Sequence, residues 1–213
     1  LIELRLLLES ALITCFVSLA GFSLGIPLGL LVAVTRLKRL PVITSVLAVY
    51  VSFIRSLPLL LFIMLFYFGL PTLGIDLNPY VAGILALALN NAAFASEIWR
   101  GAIANFALDQ IEAAKAYGMT EQQTFWRITL PQIWRASIPP ITSEITLLVK
   151  ASPAIGIIGI DDLTRRASTL AASNYEPVRM LTIATLFYVI IILAITQIGR
   201  MVDRRSQRQY ELV

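Results

Sequence analysis

The chain has 213 residues, 58% of them hydrophobic and 14% charged, with a formal net charge of +4. Soluble domains sit near about 45–50% apolar and about 25% charged, so this composition excludes an ordinary soluble domain and places the chain in a bilayer. One cysteine, Cys15, lying in an apolar run, and no histidine exclude a disulfide framework and argue against a protein-borne metal site.

The apolar runs exceed the roughly 20 residues that a helix needs to cross a membrane, and the period-2 alternation of a membrane barrel is absent. The expected fold is therefore an all-α integral membrane protein with about five transmembrane helices. The first run, about 6–34, is longer than one crossing needs, so part of it tilts or lies among the headgroups. Its length and its acidic start do not fit a cleaved signal peptide. Gly21, Gly25 and Gly29 share one side of that helix and read as a close packing face. Arg36, Lys38 and Arg39 follow, marking a cytoplasmic end and an outside amino terminus.

The second run, about 42–68, is interrupted at Arg55-Ser56-Leu57-Pro58, where proline removes a backbone donor. Arg55 either lies near mid-membrane, where it needs a partner or a water-filled cavity, or snorkels to the surface. Gly69, Pro71 and Pro79 make an outer loop. The third run, about 80–98, carries Asn90, Asn91, Ser96 and Glu97, which must be satisfied inside the protein. Interhelical hydrogen bonding is their plainer use, and a place on a substrate path the sharper one.

A polar, helix-forming stretch, 109–131, then separates the apolar runs. Asp109 with Glu112 reads as a capping-box start, Gly118 as the stop of that helix, and Thr120 with Gln123 as a second start. Two short helices hinged at Gly118 are expected, the second ended by Pro131, together forming a docking element. A fourth span, about 135–152, is expected to open at Pro139 and Pro140 and carries Glu144. A carboxylate there costs about 2.5–3.5 kcal/mol on insertion scales and counts as a site by default. A structural pair with Arg55 is the alternative. Ala151, seven residues on, shares its helical face.

Residues 154–159 are too few to span and read as a re-entrant segment buried in protein. Asp161 and Asp162 begin a short outer helix followed by Arg165 and Arg166, whose plain reading is a solvated face. A last span, about 177–201, ends in Asp203, Arg204, Arg205 and Arg208, a second inside mark. The topology is thus amino terminus out and carboxyl terminus in, and the positive charge reflects topology, not nucleic-acid binding. No glycine loop with lysine and hydroxyl is present to cradle a phosphate, so the chain cannot itself hydrolyse ATP by the usual chemistry.

Glu112-Ala113-Ala114, Gly118, Ile128 and Leu130-Pro131 match, in spacing and identity, the EAA motif of the permease subunits of type I ATP-binding-cassette importers, which the chain resembles in their polar amino-acid branch. The resemblance implies a cytoplasmic coupling helix entering a groove of a separate ATPase, with Glu112, Ala113, Ala114, Gly118, Leu130 and Pro131 as coupling residues. Small residues there allow close backbone approach, and Glu112 and Lys115 can make rim contacts. Leu89-Asn90, Ala93-Phe94 and Glu97 to Gly101 resemble the branch's LN-x-GAY-x-AEI-x-RG pattern, with Ala92 in place of its glycine. Ser143 to Thr146 and Lys150 to Ala154 resemble its N-E-F-I and K-D-T-S-L segment, with Ala151 lacking the acid.

The resemblance implies a substrate path along Glu144, Asn90, Asn91, Arg55, Ser152 and Glu97. The missing acid leaves open both the charge preference and how the pocket is shared. Implied partners are an identical or homologous permease, two ATPase subunits that bind ATP and Mg, an extracytoplasmic amino-acid-binding protein, an amino-acid substrate and membrane lipid, in a bacterial cytoplasmic (inner) membrane. No catalytic residue or cofactor is expected in this chain. The reading of a different class is a secondary transporter or channel using Glu144 and Arg55 as an ion relay.

Overall fold

The computed structural model describes residues 2–38 and 41–208, apart from the Arg208 side chain; Arg39 of the first basic cluster falls outside them. The described residues form nine α-helices with short 3₁₀ and π turns and no strand. Helix α1 (Ile2–Leu37) buries Leu7, Ala11, Thr14, Val17, Gly21, Gly25, Gly29 and Ala33, which recur every three or four residues along one stripe. The glycine side lies on α4 (Pro79–Ala104), in the most extensive helix pairing of the fold. A Cβ at Gly25 would stand 2.5 Å from Asn91 Oδ1 and 2.8 Å from the Ala88 carbonyl, and one at Gly29 would stand 2.6 Å from Ala95 Cβ. The packing face read from the glycine spacing is thus present.

Among the described residues four helical stretches are long and apolar enough to cross a membrane: 2–37, 79–104, 121–158 and 177–207. The second apolar run is a bent pair, α2 (Pro41–Ser56) and α3 (Leu59–Gly69), turning by 113° at Leu57 and Pro58. Pro58 lacks the amide that would continue α2. The interruption expected there is therefore a sharp reversal of direction. Helix α3 packs on α4 and on the 3₁₀ segment Ser152–Ile158, where Phe62, Ile63, Ile155 and Ile158 share one core. In that segment Ser152, Ile155, Gly156 and Ile158 are buried while Ile157 is half exposed, and it ends at Gly159, whose φ of +94° suits glycine.

The polar stretch departs from expectation at both ends and meets it in the middle. Helix α5 (Leu108–Ala116) begins at Leu108 after Ala107, which makes no side-chain cap, so Asp109 lies inside the first turn and is not its cap. There it still complements the helix dipole. At the other end, Gly118 has φ +74°, its amide donates to the Lys115 carbonyl and the Met119 amide donates to the Ala114 carbonyl, the two bonds of a Schellman stop. Thr120 and Gln123 form the reciprocal capping box of α6 (Glu121–Thr124).

Pro131 does not end that helix. A π turn at Phe125–Thr129 leads directly into α7 (Leu130–Ala151), with Pro131 in its first turn, where no amide is needed. Pro139 and Pro140 likewise do not open the span but lie inside α7. Neither has an amide to donate to the preceding turn.

Helix α8 (Leu163–Asn174) starts where the two aspartates place it, but Asp162 is fully buried, not solvated. Its carboxylate accepts from the amides of Thr164 (3.0 Å) and Arg165 (3.2 Å) as N-cap, while the Leu163 amide donates to Thr14 Oγ1 of α1. Burial pushes the Asp162 carboxyl up despite those two donors. A raised folded pKa means that this group's stabilisation is fullest when protonated and declines as pH climbs through the carboxylate range. Asp162→Ala is expected to cost about 1–2 kcal/mol. Asp162→Asn keeps the cap, costs far less and flattens the pH dependence, as thermal unfolding of the detergent-solubilised protein between pH 4 and pH 8 would report.

Helix α9 (Pro177–Arg208) closes the bundle against α7 and α8.

Candidate functional site

Helices α4 and α7 place the polar groups of two apolar spans at one level. A cavity of about 190 Å³ is lined by Asn90 and Phe94 of α4, Glu144, Leu147 and Ala151 of α7, and Leu57 and Leu59 at the α2–α3 bend. Glu144 and Ala151 reach it together because seven residues make two turns. The Glu144 carboxyl faces the Asn91 amide and lies in the field of Arg55. Asn91, fully buried beside Gly25, makes no hydrogen bond of normal geometry to any described residue.

Arg55 and Glu144 form no ion pair among the described residues; the Arg55 guanidinium instead stands over the Phe94 ring, 5.4 Å from its centre. That is the geometry of a cation–π contact, which leaves the guanidinium N–H groups for other partners. Phe94 escaped the sequence reading as a site residue, since an apolar aromatic in a membrane span carries no chemical signal of its own. It entered only within the resemblance pattern, although its position one turn after Asn90 was also legible.

The other sequence-derived residues separate from this cavity. Ser152 is buried with its hydroxyl donating to the Val149 carbonyl (2.8 Å), and does not line it. Glu97 accepts from Arg36 of α1 and from Arg100 (2.7 Å), an ion triad that ties the end of α1 to α4. It lines a different cavity, of about 520 Å³, with Phe106, Gln132, Ile133 and Pro140. Beside this triad Trp99 stacks on Trp134 of α7, ring centres 5.6 Å apart.

The six residues expected to couple lie at the same end. Glu112 and Ala113 are exposed on α5, Ala114 faces inward, and Gly118 is exposed at the hinge. Leu130 and Pro131 lie across the π turn at the start of α7. Exposed Tyr117 and Trp126 give that end aromatic surface. Among the described residues no cluster of His, Cys, Asp or Glu could hold a metal ion.

Residues 25–208 match the family described as binding-protein-dependent transport system inner membrane component. The chain is 33% identical over 204 residues to the arginine transport system permease protein ArtQ of Bacillus subtilis (strain 168), covering 95% of this chain and 93% of that protein. It is 30% identical over 204 residues to the glutamine transport system permease protein GlnP of Escherichia coli (strain K12), with the same coverage, 95% and 93%. A crystal structure of an amino acid ABC transporter with histidines superposes with a TM-score of 0.87 at 28% identity, over 94% of each chain.

Proposed function

Because the chain belongs to the binding-protein-dependent transport system inner membrane components and is the permease component of an amino-acid importer, we propose that Glu144, Asn90, Asn91 and Arg55 form its share of the substrate path. A carboxylate and a guanidinium flanking one small cavity complement the ammonium and carboxylate of an amino acid, and the Phe94 ring offers an apolar platform. The observation that carries this reading is Glu144 itself, an acid in a membrane span with no basic residue bonded to it among the described residues. A cavity of about 190 Å³ is small for a ligand pocket, which commonly runs to about 300–1,000 Å³. A second permease copy, identical or homologous, supplies the remaining wall.

In this proposal the whole chain is one transmembrane domain with its amino terminus outside and its carboxyl terminus in the cytoplasm, an orientation supported by the basic ends of α1 and α9. Residues 109–131 dock on one of two ATPase subunits, which bind ATP and Mg. An extracytoplasmic binding protein delivers the amino acid. ATP binding favours one of two states of the membrane domain through its different affinity for each. Glu97 and Ser152 leave the substrate set and serve α1–α4 packing and the 3₁₀ segment.

The test is ATPase activity of the reconstituted complex with its binding protein against cationic, anionic and neutral amino acids. One class is expected to stimulate, and Glu144→Gln is expected to lower that stimulation roughly 10- to 100-fold, the loss of about 1.5–3 kcal/mol from a charged hydrogen bond. Unchanged stimulation in Glu144→Gln would remove the residue from the path.

A further inference from the structure

We propose that the apolar groove between α1, α7 and α9 holds an acyl chain of an anionic phospholipid, whose headgroup meets Lys38 and Arg205. The groove encloses about 500 Å³ and is walled by Phe22, Ile26, Ile138, Ile145, Ile195 and Ile198. Thr142, one of its few polar residues, already donates its hydroxyl to the Ile138 carbonyl at 2.9 Å. A site so poor in polar partners does not hold ordered water and fits an apolar occupant. Only 11% of the most apolar window of α9 is buried, so the groove opens on a helix whose surroundings are hydrocarbon.

One end of the groove has the marks of a membrane interface. Trp134, half exposed, forms its wall one turn after Leu130. Arg205 stands three positions after the groove residue Val202, one turn on along the same face of α9. Lys38 directly follows the end of α1, eleven positions after the groove residue Pro27. Both cations are exposed, and neither has an acidic partner among the described residues. Apolar walls leading to unmatched basic residues at the surface suit an acyl chain carrying a negative headgroup. Since Trp134 stacks on Trp99 beside the Glu97 triad, a filled groove buttresses the end of α7 nearest the coupling segment.

The proposal rests on the membrane-spanning reading and, for its effect on coupling, on the assignment of residues 109–131. The purified permease–ATPase complex would be placed in nanodiscs of equimolar phosphatidylglycerol and phosphatidylcholine, extracted in mild detergent, and its retained lipid measured by native mass spectrometry. Retention of phosphatidylglycerol over phosphatidylcholine by about fivefold is expected. The Lys38→Gln, Arg205→Gln double variant, altered only at the surface, loses that preference, and Ser23→Trp, which fills the groove, retains neither lipid. Equal retention of the two lipids would overturn the proposal. So would a cross-link from Ile198→Cys to a second permease copy, which would show that protein covers the groove. Failure of the ATPase to co-purify would defeat the coupling assignment alone, because lipid retention is read equally well on the permease by itself.

Discussion

Gly118→Val is expected to lower uptake roughly 10- to 100-fold in proteoliposomes while leaving the subunit in the membrane at wild-type amount. At φ +74° a side chain is strained, and nothing within 4 Å of the missing Cβ blocks it, so the cost is wholly in the backbone. A left-handed non-glycine residue costs about 1–3 kcal/mol, and a branched one falls at the upper end. Losing the Schellman stop frees α5 from its fixed angle to α6. Gly118→Asn, tolerated in this conformation, separates the two contributions: it keeps the turn but adds bulk where the ATPase is proposed to approach. Uptake at wild-type level in both variants would remove the hinge from the coupling path. Loss in both, with ATP hydrolysis intact, identifies close approach as the requirement. The Gly118→Asp variant adds charge to that surface and is expected to uncouple transport from hydrolysis.

The second large effect belongs to Gly25. Any side chain there meets the Ala88 carbonyl and Asn91 within 2.8 Å, so α1 and α4 must move apart along their whole seam. Overpacking costs about 1–3 kcal/mol where neighbours can yield, and here one neighbour is backbone. Gly25→Leu is expected to cost roughly 3 kcal/mol or more, seen as a lower unfolding temperature and a reduced yield of assembled complex by size-exclusion chromatography. Because Asn91 faces Glu144, the milder Gly25→Ala should also weaken substrate stimulation. Gly101, in α4 with open space around its Cβ position, is the control: Gly101→Ala should stabilise the helix by about 0.5–1 kcal/mol. A Gly25→Ala protein as stable as wild type would mean that the α1–α4 seam is not close-packed.

What the sequence made legible was local chemistry. The Gly118 stop and the Thr120–Gln123 box are set by residues within a few positions of one another, and both stand where they were read. The glycine stripe of α1 was legible for the same reason, its period being a property of one helix. Glu144 announced itself by its cost in hydrocarbon. What stayed hidden depends on partners distant in the chain. Arg36 meets Glu97 across 61 positions, which turned a substrate candidate into part of an ion triad. The Arg55-to-Pro58 interruption gave the place of a break but not its 113°, which is settled by α3 packing on α4 and on the 3₁₀ segment. Pro131, Pro139 and Pro140 were read as boundaries because proline usually ends helices. The π turn and the first-turn position absorb Pro131, and packing on α4 and α9 holds α7 through the other two.

That continuity of helix from Glu121 to Ile158 makes a lever. From Glu121 to Glu144 it is about 35 Å long at 1.5 Å per residue, so a tilt of about 5° at the coupling end sweeps Glu144 through about 3 Å. A displacement of that size is about the length of a hydrogen bond and is enough to make or break a grip on substrate. The lever also has a soft joint, since Pro139 and Pro140 carry no amide to continue the helical ladder, which eases bending between handle and load. The stroke delivered to the cavity is therefore set as much by how stiff that joint is as by how far the ATPase moves.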